Sequence, residues 1–374
     1  MKVEGVHRHT IEPLPGRRAV QVLDQTLLPH EIVWCPLESL AGTVEAIKVM
    51  TVRGAPLIGA TAAFGLGFGL TDDPSDAGLA AAHDRLLATR PSAVNLRWAL
   101  DRVRARVVPL APSNSAVAAW AEAVQICADD VATNAAIGRH GLALFRTLLA
   151  AKASPPLNIL THCNAGWLGC VDWGTALAPV YLAHDAGLPV HVWVSETRPR
   201  NQGASLTAWE LTQHGVPHTL VVDNSAGHLI QRGLVDVCIV GTDRVTANGD
   251  VANKIGTYLK ALAARAHQIP FYVALPLSTV DWTITDGLRE ILIEQRSDRE
   301  VTHLAGQNVD GLRTEVLLAP PGTPARNHAF DVTPAALITA LITEHGIGRA
   351  DPTDLSQLAE RAVLNLPTRT TTPL

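Results

Sequence analysis

Four apolar runs in the second half of the chain each end on a side chain that can take part in chemistry. These side chains are Cys163, Glu196, Asp223 and Asp243, which follow runs that begin at residues 157, 190, 217 and 235. A thiol or a carboxyl group can serve as a nucleophile, a general base or a general acid. In an open parallel sheet, ligands bind beyond the carboxyl ends of the strands. The pattern therefore predicts an enzyme whose reactive groups lie along one edge of a sheet.

Cys163 lies where the first run meets a small-residue turn, Thr-His-Cys-Asn-Ala-Gly at residues 161–166. A cysteine beside the backbone N–H groups of such a turn can act as a nucleophile, a base or a charge stabiliser. The alternative is a structural cysteine, because free cysteine is among the most buried residue types. Side chains alternate along a strand, so His162 is expected to face away from Cys163 and not to pair with it. The spacing to Cys170 matches no common zinc-ligand pattern.

Asp243 opens a dense polar stretch that follows the fourth run and includes Asn253 and Lys254. A carboxyl group at the dry end of a strand is suited to general acid catalysis. The alternatives are a helix N-cap or an ion-pair partner for Arg244. The number of polar side chains ahead of a helix expected to start near Asn253 favours a functional role.

The strand-to-helix connection after the second run offers one further ligand group. Glu196 and Arg198 are best interpreted as an ion pair that shapes this loop, in preference to a catalytic role. Gln202, a few residues later, is a candidate hydrogen-bonding group for a ligand.

Arg53, Gly54, Ala55 and Pro56 open a long uncharged stretch, which predicts a buried helix and its exit turn. Proline fits the first helical turn, where no N–H group is needed. The N–H groups of Gly54 and Ala55 would then face the same place as Arg53, which is a favourable arrangement for a phosphate or carboxylate. The alternative is an ordinary helix start with a solvated arginine. Arg90 is either a second anion ligand or a loop arginine.

These residues need elements that bring them together, and the chain predicts an α/β fold of two parts. Residues 1–150 are mainly helical, with apolar positions at threes and fours over 76–90, 93–108 and 115–150, and a mixed segment at 20–33 that predicts two strands. In residues 151–374, short apolar runs alternate with helical stretches, which is typical of a parallel sheet. Runs at 271–275 and 314–319 are expected to extend this sheet. The Pro/Thr-rich end is expected to fray.

Composition narrows the classes of function. The chain has 374 residues, of which 47% are hydrophobic and 17% charged, so it can bury a large core. A net charge of −5 without a basic stripe argues against nucleic-acid binding. Five scattered cysteines do not form a disulfide framework. The start of the chain lacks the apolar core of a signal peptide, and residues 54–70 are too few to span a membrane. We therefore expect a cytoplasmic protein without a membrane partner.

Several long motifs, in one order along most of the chain, make it resemble the methylthioribose-1-phosphate isomerases of methionine salvage. They are Leu-Asp-Gln-Thr-Leu at 23–27, Arg-Gly-Ala-Pro at 53–56, the run at 161–166, Glu-Thr-Arg-Pro at 196–199, Leu-Thr-Ala-Trp-Glu at 206–210, Asp-Arg at 243–244, Gly-Asp-Val-Ala-Asn-Lys-Ile-Gly-Thr-Tyr at 249–258 and Ala-Phe-Asp-Val-Thr-Pro at 329–334.

The resemblance implies a Rossmann-like catalytic domain at 151–374, preceded by a mainly helical domain at 1–150. It also implies a homodimer, a sugar phosphate as substrate, and no metal or nucleotide cofactor. Cys163 and Asp243 would be the catalytic pair. Asp243 would protonate the ring oxygen, while Cys163 would act either as the base of an enediol path or as the stabiliser of a hydride shift. The implied substrate contacts are Arg53, Gly54, Ala55, Arg90, Gln202, Asn253 and Lys254.

Two departures from the family bear on the choice of substrate. Thr242 stands where the family more often has alanine, and the Trp-rich segment at 167–173 is expected to shape the pocket around the 5-substituent of the sugar. An apolar substituent is thereby favoured, as in methylthio and deoxy sugars. The alternatives are an isomerase of 5-deoxyribose 1-phosphate or of ribose 1,5-bisphosphate, and a regulatory subunit like those of the translation-initiation nucleotide exchange factor. Cys163 and Asp243 together favour an isomerase.

Overall fold

The structure is a computed structural model that describes residues 1–90 and 93–364. The Pro/Thr-rich end, for which fraying was predicted, lies outside the described residues. Within these two ranges no helix combines the length and the hydropathy that a membrane span requires.

The N-terminal part combines small antiparallel sheets with helices. The strands are β1 (Lys2–Val3), β2 (Val6–His7), β3 (Ile11–Pro13), β4 (Val20–Leu23) and β5 (Trp34–Leu37). The helices are α1 (Leu40–Lys48), α2 (Ala55–Asp72), α3 (Asp76–Leu87), α4 (Val94–Val107) and α5 (Pro112–Ala151). The three predicted amphipathic helices and the buried helix α2 are thus confirmed. Only one strand forms within residues 20–33, because its partner β5 begins one residue beyond them.

The C-terminal part is built on strands that alternate with helices. The strands are β6 (Leu157–His162), β7 (Val190–Ser195), β8 (His218–Val221), β9 (Val237–Val240), β10 (Arg244–Thr246), β11 (Val251–Lys254), β12 (Phe271–Ala274), β13 (Val280–Asp281), β14 (His303–Gln307), β15 (Arg313–Leu317), β16 (Phe330–Thr333), β17 (Ala340–Thr343) and β18 (Gly346–Gly348). The helices are α6 (Ala178–Asp185), α7 (Ala208–His214), α8 (Ser225–Gln231), α9 (Thr257–Ala266), α10 (Gly287–Glu290), α11 (Arg299–Thr302) and α12 (Pro352–Leu364).

Seven strands form the central sheet, in the order β18-β17-β12-β9-β6-β7-β8. Neighbouring strands are parallel except at the β17–β18 edge. After β6, the strands β7 and β8 follow on one side of it, whereas β9, β12 and β17 follow on the other side. The strand order therefore reverses between β6 and β9. In α/β sheets the crevice at such a reversal is where ligands bind. Cys163 directly follows β6 and Asp243 lies shortly after β9, so both flank the reversal. The predicted α/β fold with a large parallel sheet is confirmed.

Two predicted elements are wrong. The run at 314–319 does not extend the central sheet, because β15 pairs with β14 in a separate hairpin and is exposed along its whole length. Arg313 and Glu315 within β15 are incompatible with burial between two helical layers. A helix does not start near Asn253, because Asn253 lies on β11 and α9 begins only after Gly256, whose φ is 100°.

One long helix connects the two parts of the molecule. The C-terminal half of α5 places Ile137 and Phe145 in the same hydrophobic core as Ile159 of β6 and Tyr181 of α6. Gly138 and Gly141 allow α5 to approach α6 closely, because a Cβ at either glycine would collide with Ala178 or Pro179. The division of the chain near residue 150 therefore stays a prediction, since this core crosses it.

Candidate active site

A cavity of about 530 Å³ lies between the N-terminal helices and the carboxyl ends of β6 and β9. All nine residues that the sequence singled out for the catalytic pair and the substrate contacts line this cavity. They are Arg53, Gly54, Ala55, Arg90, Cys163, Gln202, Asp243, Asn253 and Lys254. The fold thus brings together side chains that are up to two hundred residues apart in the sequence.

Cys163 is held in an unusual backbone conformation at the end of β6. Its φ is 64°, which costs free energy in a residue other than glycine. The backbone N–H group donates to Thr197 Oγ1 at 2.7 Å, and the carbonyl oxygen accepts from Thr207 Oγ1 at 2.7 Å. Its Sγ lies 3.2 Å from Gln202 Oε1. Burial raises the pKa of the Cys163 thiol, and Lys254 opposes this effect. Burial therefore favours the neutral thiol, whereas the charge of Lys254 favours the thiolate.

Arg53 and the start of α2 form a second part of the site. The Arg53 guanidinium donates to the backbone oxygen of Asn164 at 2.8 Å and to the Asn164 side-chain oxygen. Gly54 has a φ of 95°, and a Cβ there would lie only 2.3 Å from Cα of Gly169. The N–H groups of Gly54 and Ala55, at the start of α2, have no partner within the helix. Together with Arg53, they can hold a phosphate.

Asp243, directly before β10, and Asn253, on the neighbouring strand β11, lie at the cavity wall. The Asp243 N–H group donates to the carbonyl oxygen of Ala252 at 3.0 Å. Asp243 precedes β10 and not a helix, so it is not a helix N-cap. Asn253 Nδ2 donates to Thr257 Oγ1 at 3.0 Å. The Thr242 hydroxyl donates to the same Ala252 oxygen at 2.8 Å, so this departure from the family fixes the backbone beside Asp243.

Positive charges crowd the cavity around one aromatic ring. Lys254 Nζ lies 4.7 Å from the centre of the Phe330 ring, and the Arg296 guanidinium lies 5.4 Å from it. Burial, and the charge of Arg296, lower the pKa of Lys254 to about 8. Arg90 Nε is buried and has no hydrogen-bond partner within the described ranges. Burial and Arg296 also lower the pKa of Arg90. An anionic ligand would relieve this crowding.

Glu210, which the sequence did not assign to the site, organises the turn that carries Cys163. This fully buried carboxylate accepts hydrogen bonds from the Asn164 side chain (2.9 Å), the N–H groups of Trp167 (3.0 Å) and Leu168 (2.9 Å), and the Tyr181 hydroxyl (2.6 Å). Burial raises the pKa of Glu210, while these hydrogen bonds oppose the change. Because Asn164 in turn accepts hydrogen bonds from Arg53, Glu210 fixes the turn and the Arg53 guanidinium together.

Of the four strand-end side chains, only Cys163 and Asp243 reach the cavity. Asp223 instead accepts hydrogen bonds from the N–H groups of Thr197 and Arg198, at 2.8 and 2.7 Å. The predicted ion pair between Glu196 and Arg198 is wrong, because Arg198 donates to backbone oxygens, including that of Pro199 at 2.8 Å. Strand order explains why Glu196 and Asp223 do not reach the cavity. They follow β7 and β8, which lie on one side of the reversal, whereas β6 and β9 flank it.

Comparisons with known proteins identify the family of this chain. Residues 51–349 match the initiation factor 2 subunit family. The methylthioribose-1-phosphate isomerase of Rhodospirillum rubrum is 58% identical over 98% of this chain and 96% of its own length. That of Paramagnetospirillum magneticum is 58% identical over 97% of this chain and 100% of its own length. The chain belongs to the methylthioribose-1-phosphate isomerase family.

Solved structures of this wider group have the same fold. The 5-methylthioribose 1-phosphate isomerase of Pyrococcus horikoshii is 38% identical, with a TM-score of 0.80 over 95% of this chain and 96% of that one. The δ subunit of translation initiation factor eIF-2B from A. fulgidus is 34% identical, with a TM-score of 0.77 over 95% of this chain and 100% of that one. The methylthioribose-1-phosphate isomerase family thus shares its scaffold with a translation factor.

The tryptophan side chains of the segment at 167–173 do not line the cavity, contrary to the prediction that this bulky segment would shape it. Trp167 and Leu168 are buried in the core, where Trp167 packs 6.1 Å from the ring of Trp209. Only Gly169 and Cys170 of this segment reach the cavity. Apolar lining comes instead from two other places in the chain, namely Met50, Ile58, Ile291, Leu292 and Ile293.

The irregular segment at 290–296 was the main part of the site that sequence reasoning missed. It contributes Glu294 and Arg296, which form an ion pair at 2.9 Å. The sequence did contain a signal, because the apolar residues 291–293 are flanked by charged residues. This short run follows neither a strand nor a helix pattern, so its position in the fold could not be predicted.

The prediction that His162 does not pair with Cys163 agrees with the structure. His162 Nε2 donates to the Ile255 oxygen at 2.8 Å, and burial lowers the pKa of its ring to about 3.

Proposed function

We propose that this chain is an aldose–ketose isomerase that converts 5-methylthioribose 1-phosphate into 5-methylthioribulose 1-phosphate in methionine salvage. The observation that carries the proposal is the placement of Cys163 and Asp243 on either side of the sheet reversal, in one cavity rich in cations. Relatives 58% identical over nearly the whole chain bear the name of this enzyme.

The phosphate is proposed to bind at the N-terminus of α2. Arg53 and the N–H groups of Gly54 and Ala55 provide donors there, and Lys254 and Arg90 add positive charge. Among the residues that the structure describes, none accepts a hydrogen bond from Nε of Arg90, and this supports the assignment because a buried donor needs an acceptor. Gln202 and Asn253 are then available for the sugar hydroxyls.

The 1-phosphate prevents the ring from opening to a free aldehyde. Asp243 is proposed to protonate the ring oxygen, so that the bond from this oxygen to C1 breaks and positive charge develops at C1. In one path, Cys163 as a thiolate removes the proton from C2, the resulting enediol phosphate is reprotonated at C1, and the 2-hydroxyl loses its proton to give the ketone. In the other, hydride moves from C2 to C1, Cys163 stabilises the transition state, and the 2-hydroxyl loses its proton. Exclusion of water strengthens each electrostatic interaction in either path.

The charge distribution favours an apolar 5-substituent over a second phosphate. A bisphosphate needs a further uncompensated cation, but Arg296 is already paired with Glu294. The apolar side chains of Met50, Ile58 and residues 291–293 suit a methylthio or deoxy sugar instead. A regulatory subunit requires only the scaffold, so the presence of Cys163 and Asp243 together supports catalysis.

The purified protein is expected to turn over 5-methylthioribose 1-phosphate and, less efficiently, 5-deoxyribose 1-phosphate. For ribose 1,5-bisphosphate, kcat/KM should be lower by about 10²-fold or more, because its second phosphate would meet apolar side chains. A coupled assay of ketose formation with the three sugars checks this. No turnover of any of them would remove the enzyme proposal.

The same reaction in D2O distinguishes the two paths. Solvent deuterium at C1 indicates the enediol, and full retention of the C2 hydrogen indicates the hydride shift.

The value of kcat/KM is expected to fall as the pH rises through about 8. The pKa of Lys254 is lowered to about 8, so Lys254 is a cation below this pH and loses its attraction for the phosphate above it. In Lys254→Arg the charge persists, and the fall should move to higher pH. A pH profile of kcat/KM for both proteins is the measurement. An unchanged fall in Lys254→Arg would assign it to another group, such as the Cys163 thiol.

We further propose that residues 151–374 form a Rossmann-like catalytic domain, that residues 1–150 form a mainly helical domain, and that the enzyme is a cytoplasmic homodimer needing no metal or nucleotide. The strand order of the central sheet supports the first of these. Five free cysteines are compatible with a reducing compartment. The homodimer and the lack of a cofactor rest on the family resemblance.

A further inference from the structure

Cys163 and Thr197 share a backbone conformation that is rare for their residue types. Their φ values are 64° and 67°, and both follow neighbouring parallel strands, β6 and β7. For a β-branched residue such as threonine, a positive φ is a clear outlier. Such strain persists only where surrounding contacts maintain it, and it concentrates at functional sites.

The contacts that maintain this strain run from Cys163 outward through Thr197. Thr197 Oγ1 accepts the hydrogen bond from Cys163 N–H at 2.7 Å and lies 2.9 Å from the Ser195 oxygen, to which it donates. The N–H group of Thr197 donates to Asp223 Oδ1 at 2.8 Å. Thr197 is only 1% exposed, so no water replaces these bonds. Asp223, the strand-end carboxylate that does not reach the cavity, thereby anchors the residue that holds Cys163.

His162 limits how the Thr197 hydroxyl can turn. Its Nε2 carries the proton that is donated to Ile255, so Nδ1 is an acceptor, and it lies 3.3 Å from Thr197 Oγ1. The hydroxyl therefore has two acceptors for its single proton, Nδ1 and the Ser195 oxygen. Its lone pairs are left facing the Cys163 N–H group.

We propose that Thr197 is a positioning residue, whose hydroxyl holds Cys163 in the left-handed conformation that directs Sγ into the cavity. The expected change in kcat rests on the proposed function, whereas the expected change in the reactivity of the Cys163 thiol does not. The groups assigned to the phosphate lie on α2, β11 and the segment near Arg90, and not on β7. Loss of the hydroxyl should therefore impair the chemical step more than substrate binding.

Thr197→Val tests this proposal, because it keeps the shape and the β-branch of threonine but removes the acceptor. We expect kcat to fall about 10- to 100-fold with KM within about threefold, as displacement of a reacting group by about 1 Å can cost 10²-fold. Alkylation of Cys163 by iodoacetamide, followed by mass spectrometry of its peptide, should slow at least about tenfold, since Sγ is no longer directed into the cavity. Thr197→Ser restores the acceptor and should stay close to the parent in both measurements.

Thr61→Val is the matched control. Thr61 is fully buried in α2 and donates to the Leu57 oxygen at 2.7 Å, away from Cys163. Its variant should leave alkylation of Cys163 unchanged. Parent-like kcat and alkylation in Thr197→Val would overturn the proposal. Loss of folding in both Thr197→Val and the smaller Thr197→Ala would also overturn it, because the hydroxyl would then hold the fold and not the thiol. If the parent shows no turnover, the proposed function fails, while the alkylation comparison still decides the role of Thr197.

Discussion

Asp243→Asn is expected to lower kcat by about 10²- to 10⁴-fold, which is the range that general acid catalysis contributes. Asparagine keeps the shape of the side chain but cannot supply the proton that the ring oxygen needs. The fold should persist, because Asp243 is joined to its surroundings through its backbone N–H group. Steady-state kinetics and thermal unfolding measure the two effects. Asp298→Asn, at an exposed position, is the matched control.

Cys163→Ser is expected to lower kcat to an extent comparable with Asp243→Asn. A serine hydroxyl ionises far less readily than a thiol, so it supplies less of the anionic base that the enediol path needs. Its oxygen is also less polarisable than sulfur and responds less to the charge that develops at C2 in the hydride path. Cys35→Ser changes a cysteine outside the cavity and should be close to the parent. Near-normal turnover in Cys163→Ser or Asp243→Asn would remove that residue from the mechanism.

Gly54→Ala is expected to destabilise the protein by about 2–4 kcal/mol and to abolish most turnover. The new Cβ would lie 2.3 Å from Cα of Gly169, and the φ of 95° is unfavourable for alanine. Relief of this clash must move either the start of α2 or the turn at Gly169, and both hold the proposed phosphate site. Urea unfolding and the kinetics of the variant measure these losses.

Gly227→Ala is the control for this substitution. Gly227 lies inside α8, and a Cβ there meets nothing within 4 Å. Alanine is the better helix former, so this variant should gain up to about 1 kcal/mol and keep its activity. Equal stability and activity of Gly54→Ala and Gly227→Ala would show that the close approach of Gly54 to Gly169 is unimportant.

The sequence predicted those parts of the site that depend on regular elements. Cys163 and Asp243 could be placed because continuous apolar runs indicate buried parallel strands, whose ends share one edge. Arg53 could be placed beside a buried helix start because proline and an uncharged stretch mark such a start. Local patterns thus sufficed wherever a residue's position follows from the end of a helix or strand.

Residues that act through tertiary contacts could not be predicted in this way. Arg296 reaches the cavity from an irregular segment, and no periodicity shows which way such a segment turns. Thr197 and Glu210 lie within recognised motifs, but their partners Cys163 and Asn164 are more than thirty residues away. The prediction for the Trp-rich segment failed because large apolar side chains are as suited to a core as to a pocket. In this protein Trp167 packs against Trp209 in the core.

The way α5 is shared has a consequence for anyone wishing to reuse parts of this protein. A cut near residue 150 would separate Ile137 and Phe145 from the C-terminal residues that they pack against. Each half would then expose apolar surface that is buried in the intact chain. Neither half is suited to serve as an autonomous building block in a chimera, because grafting one onto a foreign partner would require a replacement for the missing length of helix.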